Sequence, residues 1–324
     1  LRRVEVRGRG VAPPAEGDAV TRELRAGIDI GGTKTDAVAI DAAGGVLHRV
    51  RLATGFGAEA VLGTAAAAVE QLAAAAGVAP EAFGSIGIGV PGAVDPATGR
   101  VEHAVNLGLP ELELGAEMAR RLGRTVRVEN DVNAAALGAF ALLGGSPAQS
   151  MAYLNLGTGL AAGLVIRGEL WRGSRGVAGE IGHIPVDPSG PECPCGQRGC
   201  LELMASGSAV ARQWPTEDPA PVRALFAAAD AGDPAAVEVR RRLVANVAAA
   251  VRLLVLTVDV DEVVIGGGLA SLGTALLGEV RAVLAGWATG SEFLASLQLA
   301  DRVELVPHGA NAAAVGAALV GAAG

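Results

Sequence analysis

Two short strand–turn–strand patterns, one in each half of the chain, constrain its fold more than any other feature. Residues 28–40 read IDIGGTKTDAVAI and residues 154–166 read LNLGTGLAAGLVI. Alternating apolar runs that meet at glycines are typical of strands joined by tight turns. Further strands alternate with helix-like segments after each hairpin, which favours mixed α/β layers in both halves. The sequence therefore indicates a duplicated α/β fold, and 324 residues are enough for two domains.

Hydrophobic periodicity and glycine turns predict a similar order of elements in each half. In the first half we expect strands up to residue 54, then helix 57–77, strand 84–92, helix 113–122, strand 125–130 and helix 131–144. In the second half we expect strands over 150–170, then helix 233–257, strand 262–268, helix 274–287, strand 302–307 and a closing helix from Ala310. Residues 1–25 are charged and contain Pro13-Pro14, so we expect a loose leader that is too short for a winged-helix DNA-binding domain.

Composition and charge exclude several classes of partner. The formal net charge of −8 offers no basic surface for nucleic acid or an anionic membrane. Glu70 and Arg252 interrupt the longest apolar runs, which stay short of the roughly 20 residues that a membrane span requires. The N-terminal arginines precede no apolar segment of the signal-peptide kind. The small number of cysteines fits a reducing compartment, so we expect a cytoplasmic protein. From the net charge and the short apolar runs we expect neither nucleic-acid nor membrane partners.

All cysteines of the chain lie in one short stretch, which also contains a histidine. Cys193, Cys195 and Cys200 occur within GHIPVDPSGPECPCGQRGC, which contains His183 near its start. Three thiols cannot all form intramolecular disulfides, whereas three cysteines and a histidine match the ligands of structural zinc. The glycines and prolines between them suit a tight, metal-wrapping loop. The alternative is three unrelated buried thiols beside a surface histidine.

The first hairpin carries a pattern that suits a phosphate group. In DIGGTKT, residues 29–35, an acidic residue ends a strand immediately before two glycines. Glycines let backbone N–H groups approach an anion closely, and the carboxylate of Asp29 could lie near a phosphate-bound Mg²⁺. The stretch lacks the ending of a Walker A loop, and an ordinary hairpin turn remains the alternative. GTG at 157–159 and GGG at 266–268 offer further close-approach turns, whereas GIGVPG at 87–92 runs into a turn and not into a dinucleotide-binding helix.

Polar residues cluster where a predicted strand meets a helix. The sequence ENDVN, residues 129–133, follows an apolar strand. A helix N-cap explains one such residue but not Glu129, Asn130, Asp131 and Asn133 together. Because sites in open α/β folds lie beyond the carboxyl ends of strands, Asp131 is a candidate base for a substrate hydroxyl and Asn130 an orienting donor.

A second polar group lies beside the cysteine loop. GEIGH places Glu180 and His183 on one side of a helical turn, if the stretch is helical, and Glu202 follows Cys200 closely. Carboxylates accept hydrogen bonds from sugar hydroxyls, and imidazole can accept or donate. The two nitrogens of His183 permit contact with a metal on one side and with substrate on the other. We therefore expect the metal to hold these side chains in one polyol pocket.

These motifs, in this order, resemble the ROK family, which comprises repressors, open reading frames and sugar kinases. The resemblance rests on DIGGTKT, VPGAVD, ENDVNAAALG, NLGTGLAAG, GEIGH, CPCGQRGCLE and VVIGGG, and it runs from about residue 26 to the end. It implies a two-domain actin-like ATPase fold, related to ribonuclease H, with a cleft between the domains. The domains would span 26–145, completed by the closing helix 310–324, and 146–309, with the zinc loop at 183–200.

The resemblance also implies roles for individual residues. Asp131 would be the general base, and the hexose would bind Asn106, Asn130, Glu180, His183 and Glu202. MgATP would bind Asp29, Gly31, Gly32, Thr33, Lys34, Thr158, Gly159, Gly266, Gly267 and Gly268. Structural zinc would bind His183, Cys193, Cys195 and Cys200. The chain departs from the family in AVNLGLPELELG, which lacks the tryptophan that often follows the sugar-binding asparagine.

The leading hypothesis is an ATP-dependent glucokinase that forms glucose 6-phosphate. A kinase of fructose, mannose or an N-acetylhexosamine is one alternative. A sugar-sensing transcriptional regulator of the same family is another, and a catalytically weak sugar-binding module is a third. By analogy with the family, we expect a homodimer or homotetramer.

Overall fold

A computed structural model describes residues 24–322. The predicted leader lies outside these residues except for Leu24 and Arg25, which begin the first strand. The strands are β1 (Leu24–Ile30), β2 (Lys34–Ile40), β3 (Val46–Ala53), β4 (Phe83–Val90), β5 (Ala93–Asp95), β6 (Arg100–Ala104), β7 (Leu109–Leu112), β8 (Val126–Asn130), β9 (Met151–Leu156), β10 (Leu160–Ile166), β11 (Glu169–Trp171), β12 (Glu262–Gly266) and β13 (Val303–Leu305).

The helices occur after the hairpins and between the later strands. They are α1 (Ala58–Ala76), α2 (Leu114–Leu122), α3 (Asp131–Leu142), α4 (Gly207–Gln213), α5 (Pro221–Asp230), α6 (Pro234–Val258), α7 (Thr274–Thr289), α8 (Glu292–Ser296) and α9 (Ala312–Ala322). None of the helices within 24–322 has both the length and the apolar character needed to cross a membrane.

The two large sheets repeat one topology. The first has the order β3-β2-β1-β4-β8, and the second has the order β11-β10-β9-β12-β13. In each sheet the opening hairpin pairs antiparallel, whereas the first hairpin strand pairs parallel with the following crossover strand. Each sheet also contributes to its own cluster of buried apolar side chains. This repeat confirms the predicted mixed α/β architecture of both halves.

Several local expectations differ from the structure. The strand expected over 160–170 divides at Arg167 and Gly168 into β10 and β11, because both residues adopt positive φ angles of 52° and 78°. The closing helix begins at Ala312 and not at Ala310. A small sheet of order β5-β6-β7 occupies the stretch between β4 and α2. The helices α4, α5 and α8 lie outside the predicted pattern.

Helices α3 and α9 lie against each other, and between them they contact both large sheets. A methyl group on Gly138 would lie 1.9 Å from the carbonyl oxygen of Ala312, and one on Gly316 would lie 1.7 Å from the oxygen of Ala134. Helix α9 continues onto the first sheet, where the position of a Cβ on Gly27 is 1.9 Å from the oxygen of Ala314. Helix α9 therefore packs closely onto β1. The domain boundaries stay a prediction.

The contact between α3 and α9 generates a stability prediction. Gly138→Ala should destabilise the protein by about 1–3 kcal/mol or more, because the added methyl group overlaps a backbone carbonyl that cannot rotate away. Gly63→Ala is the matched control, since Gly63 also lies within a helix but no atom is within 4 Å of the added methyl group. The control should stabilise by roughly 0.5–1 kcal/mol. Thermal unfolding of both variants measures the difference, and equal midpoints would contradict the packing.

Candidate active site

A cavity of about 630 Å³ lies between the two halves of the fold. Its wall contains residues of the first hairpin, the start of α3, the middle of β9, the glycines after β12 and the segment that enters α9. The lining residues that carry polar side chains are Asp29, Lys34, Asp36, Arg51, Asp131, Tyr153, Asn155, Ser271, His308 and Asn311. The predicted base, part of the first nucleotide motif (Asp29 and Lys34) and part of the motif after β12 therefore face one cavity. Its lining includes neither Thr158 and Gly159 of the second nucleotide motif nor any of the five predicted sugar ligands.

The junction of β8 and α3 fixes the position of Asp131. Asn130 has extended backbone angles, and its side-chain oxygen accepts hydrogen bonds from the N–H groups of Val132 at 3.0 Å and Asn133 at 3.2 Å. Its amide nitrogen donates to the carbonyl oxygen of Gly92 at 3.1 Å. Asn130 is therefore the N-cap of α3, and one N–H of its side chain is left for a ligand. Asp131 is the first residue of the helix.

The other polar residues of this junction have structural roles. Glu129 is 2% exposed, and its Oε1 accepts a hydrogen bond from the side-chain nitrogen of Asn133 at 3.0 Å. Neither residue lines the cavity. The polar run ENDVN thus combines an N-cap, a buried hydrogen-bonded pair and a cavity-lining carboxylate.

Two carboxyl groups in the cavity have raised pKa values. Burial, followed by the charges of Asp131 and Asp36, raises the pKa of Asp29 to about 7, while Lys34 lowers it. Burial raises the pKa of Asp131 to about 6, although the backbone N–H of Val132 opposes the rise. The charge of Glu180 adds to the rise at Asp131. A carboxylate with a pKa near the working pH is suited to accept a proton from a hydroxyl group.

The first hairpin turn adjoins the predicted sugar residue Asn106. The N–H of Gly31 donates to the carbonyl oxygen of Lys34 at 2.9 Å, and Thr33 and Lys34 are exposed at the turn. The side-chain nitrogen of Asn106 lies 3.3 Å from the position of a Cβ on Gly32. A hydroxyl group held by Asn106 would therefore lie close to a phosphate held by the hairpin.

The second hairpin turn adjoins Glu202. Its Oε2 accepts a hydrogen bond from the N–H of Leu160 at 3.0 Å and lies 2.4 Å from the position of a Cβ on Gly159. The carbonyl oxygen of Thr158 accepts from the N–H of Ser208 at 3.2 Å, at the start of α4. One oxygen of Glu202 thus holds the turn, and the other is free to accept a bond from a ligand.

The glycines after β12 approach β9 closely. A Cβ on Gly266 would lie 2.0 Å from the hydroxyl oxygen of Tyr153. Gly267 has a φ of 79° and its Cβ position is 2.7 Å from Oδ1 of Asn155, so a side chain cannot be accommodated there. Gly267 and Gly268 line the cavity. Tyr153 of β9 also lines the cavity. This hydrogen-bond donor was not predicted, because the alternation of apolar residues does not show which face of a strand lines a cavity.

The histidine and the cysteines of the loop converge. One ligand atom from each of His183, Cys193, Cys195 and Cys200 lies within 4.8 Å of all the others. The sulfur atoms of Cys195 and Cys200 are 3.7 Å apart, and Nδ1 of His183 lies 3.9 Å from the sulfur of Cys193. Tetrahedral zinc with Zn–S bonds of about 2.3 Å requires sulfur atoms about 3.8 Å apart. The donor set therefore fits zinc.

The loop also contacts the segment that carries two of the predicted sugar ligands, Glu180 and His183. Glu180 is exposed and precedes a single turn of 3₁₀ helix, Ile181–His183. Gln197 donates from its side chain to the carbonyl oxygen of His183 at 2.9 Å. Because Nδ1 of His183 faces the cysteines, Nε2 is the nitrogen left for a substrate.

Comparison with known proteins identifies the family. The model of the ROK family matches residues 25–322. The chain belongs to the ROK family. A glucokinase of Streptomyces coelicolor is 34% identical over 307 residues, which are 87% of this chain and 95% of that protein. An N-acetylmannosamine kinase of Haemophilus influenzae is 34% identical over 163 residues, which are 49% of this chain and 54% of that protein.

The fold is similar to that of a solved ROK family member. The crystal structure of a ROK family glucokinase from Streptomyces griseus, in complex with glucose and AMPPNP, has a TM-score of 0.76 and 33% identity. The match covers 93% of this chain and 100% of that one. The predicted actin-like ATPase fold of the ROK sugar kinases is thereby confirmed.

The raised pKa of Asp29 predicts a pH-dependent stability. The folded state favours protonated Asp29, so this group stabilises the fold below about pH 4, and the contribution is lost as pH rises through about 7. Without nucleotide or divalent cation, Asp29→Asn should raise the thermal midpoint by a few degrees at pH 8 and leave it unchanged near pH 4. The exposed Asp301→Asn is the control. A gain that is equal at both pH values would contradict the assignment.

Proposed function

We propose that this protein transfers the γ-phosphoryl group of ATP to a hydroxyl group of a hexose, with glucose as substrate and glucose 6-phosphate as product. The relatives support an ATP-dependent sugar kinase activity. The observation that carries the proposal is the position of Asp131, which faces the same cavity as Asp29 and Lys34 of the first hairpin. Burial, which raises the pKa of Asp131 to about 6, supports its role as a base.

Asp131 is the general base of the proposed reaction. The start of α3 fixes its side chain, and the ionised carboxylate accepts the proton of the attacking hydroxyl group as the oxygen–phosphorus bond forms. Phosphoryl transfer has a loose transition state, so the chain mainly aligns the hydroxyl group and balances the charge on phosphate. Lys34 and the N–H group of Gly32 are the donors proposed for that charge, since the N–H group of Gly31 is already bonded to the carbonyl oxygen of Lys34.

Mg²⁺ bound with ATP would supply further positive charge at the phosphate oxygens. Asp29 is the residue proposed to lie near it. Burial and the neighbouring carboxylates raise the pKa of Asp29 to about 7, which favours the protonated form in the absence of a cation. A nearby cation favours the ionised form, so Asp29 would release its proton as the nucleotide complex binds.

The hexose is proposed to bind between the two halves. Asn106 and Asn130 would contact it from the first half, and Glu180, His183 and Glu202 from the second. The free hydrogen-bonding positions described above support this: one N–H of Asn130, Nε2 of His183 and one oxygen of Glu202. Glucose is favoured over an N-acetylated sugar because the glucokinase relative matches 87% of the chain and the N-acetylmannosamine kinase 49%.

A panel of hexoses with MgATP tests the proposal through ADP release. We expect glucose to have the highest kcat/KM among glucose, mannose, fructose, N-acetylglucosamine and N-acetylmannosamine. Asp131→Asn should lower kcat by about 10²–10⁴-fold with glucose binding retained, because it removes the base but not the shape. The wild-type kcat/KM should fall as pH drops through about 6, where Asp131 becomes protonated.

Asp301→Asn serves again as the control and should keep wild-type activity, because this side chain is exposed. Full activity of Asp131→Asn would exclude Asp131 as the base. A preference for an N-acetylated hexose would exclude glucose as the substrate but not the kinase activity.

Zinc is proposed to hold the loop that carries Glu180 and His183. Metal analysis of the purified protein should find about one zinc per chain. Cys195→Ser should remove it, lower the thermal midpoint and raise the KM for glucose, because the loop loses its anchor. Glu192→Gln, an exposed change in the same loop, should keep the metal. Full activity and an unchanged midpoint in a zinc-free preparation would contradict the role. The oligomeric state stays a prediction.

A further inference from the structure

Glu129 is a buried carboxylate that the proposed reaction does not use. It is 2% exposed, which makes it the least exposed acidic residue among residues 24–322. An ionised carboxylate in such a place is costly unless charge and hydrogen bonds compensate it. The groups that hydrogen-bond to Glu129 therefore identify the segments that this carboxylate connects.

The two oxygens of Glu129 face two different parts of the fold. Oε1 accepts from the backbone N–H of Asn130 and from the side-chain nitrogen of Asn133, both at 3.0 Å. These contacts fix the residues that begin α3. Oε2 accepts from Nε of Arg172 at 2.7 Å, and Nη2 of the same guanidinium is also 2.7 Å away. Arg172 follows β11 of the second sheet.

Arg172 begins the loop that leads to the proposed sugar ligands. Its carbonyl oxygen accepts a hydrogen bond from the N–H of Ala178 at 3.2 Å, which closes the loop. Gly179 follows, and its carbonyl oxygen accepts from the N–H of Ala162 in β10 at 2.8 Å. Glu180 is the next residue. The guanidinium of Arg172 thus joins the base of this loop to the strand end that precedes Asp131.

We propose that Glu129 and Arg172 are positioning residues that hold the loop of Glu180 and His183 in register with the Asn130–Asp131 end of α3. Neither residue lines the 630 Å³ cavity, so they act through the residues beside them. The proposal rests on the proposed sugar kinase function, since the register matters for a hexose bound between Asp131 and Glu180. A charged pair of this kind aligns groups from different sheets because its hydrogen bonds are directional.

Kinetics of Arg172→Met test the pair. The change should lower kcat/KM for glucose on the order of 10²-fold, because small misplacements between a base and its substrate cost about that much. The KM for ATP should be unchanged. Arg172→Met should also lower the thermal midpoint, since Glu129 is left buried without a counter-charge. Arg241→Met removes an exposed arginine from its pair with Glu238 and is the matched control, with no expected change.

The double variant Glu129→Gln with Arg172→Met separates positioning from stability. It removes the unpaired charge, so the thermal midpoint should recover while kcat/KM for glucose stays low. Recovery of both would assign the pair to stability alone and overturn the proposal. Wild-type kcat/KM for glucose in Arg172→Met would overturn it too.

Hydrogen exchange tests the same coupling without any substrate. Arg172→Met should speed exchange at residues 129–135, on the other side of the pair, and Glu129→Gln should speed it at residues 172–183. Faster exchange confined to the mutated side, or spread evenly over the chain, would overturn the coupling. If the wild-type protein phosphorylates no hexose, the proposed function fails, and hydrogen exchange alone decides whether the pair links the two segments.

Discussion

The backbone contact between α3 and α9 is the constraint on which the rest of the structure depends. At Gly138 and Gly316 each helix passes so close to a carbonyl oxygen of the other that a methyl group would overlap it. Helix α3 packs on the second sheet and α9 on the first, so this crossing joins the two halves. Asp131 begins α3, and residues 307–311 lead into α9; both line the cavity. The crossing therefore sets the position of the proposed base relative to the opposite wall.

Three carboxyl groups, those of Glu129, Asp131 and Asp29, differ in how the surrounding residues compensate their charge. Glu129 has a guanidinium and hydrogen-bond donors, and it is buried. Asp131 has only backbone N–H donors, those of Val132 and of Asp131 itself, and burial raises its pKa to about 6. Asp29 is buried near the carboxylates of Asp131 and Asp36, and its pKa rises to about 7. The compensated carboxylate of Glu129 stabilises the positions of its neighbours. The less compensated carboxylates of Asp131 and Asp29 can accept a proton or attract a cation, as the proposed reaction requires.

Much of this arrangement could be predicted from the sequence because its determinants are local. Alternation and glycine turns identified both hairpins, and ligands that are close along the chain identified the cysteine cluster. Arg172 was not predicted, because it lies 43 residues from Glu129 and no local pattern connects them. The small sheet of β5, β6 and β7 was missed because the residues of its strands, AVD, RVEHA and LPEL, show no sustained apolar alternation. Strand β11 was expected only as the end of a strand over 160–170. The sequence predicted that one of the polar residues at 129–133 caps α3, and the structure shows that this residue is Asn130.

The most direct test of the account is a crystal structure with glucose and a non-hydrolysable ATP analogue. The account predicts the 6-hydroxyl group of glucose within about 2.6–3.2 Å of an oxygen of Asp131, with the terminal phosphate on the side of the Gly31–Gly32 turn. Glucose bound away from the start of α3, with no hydroxyl group near Asp131, would contradict it.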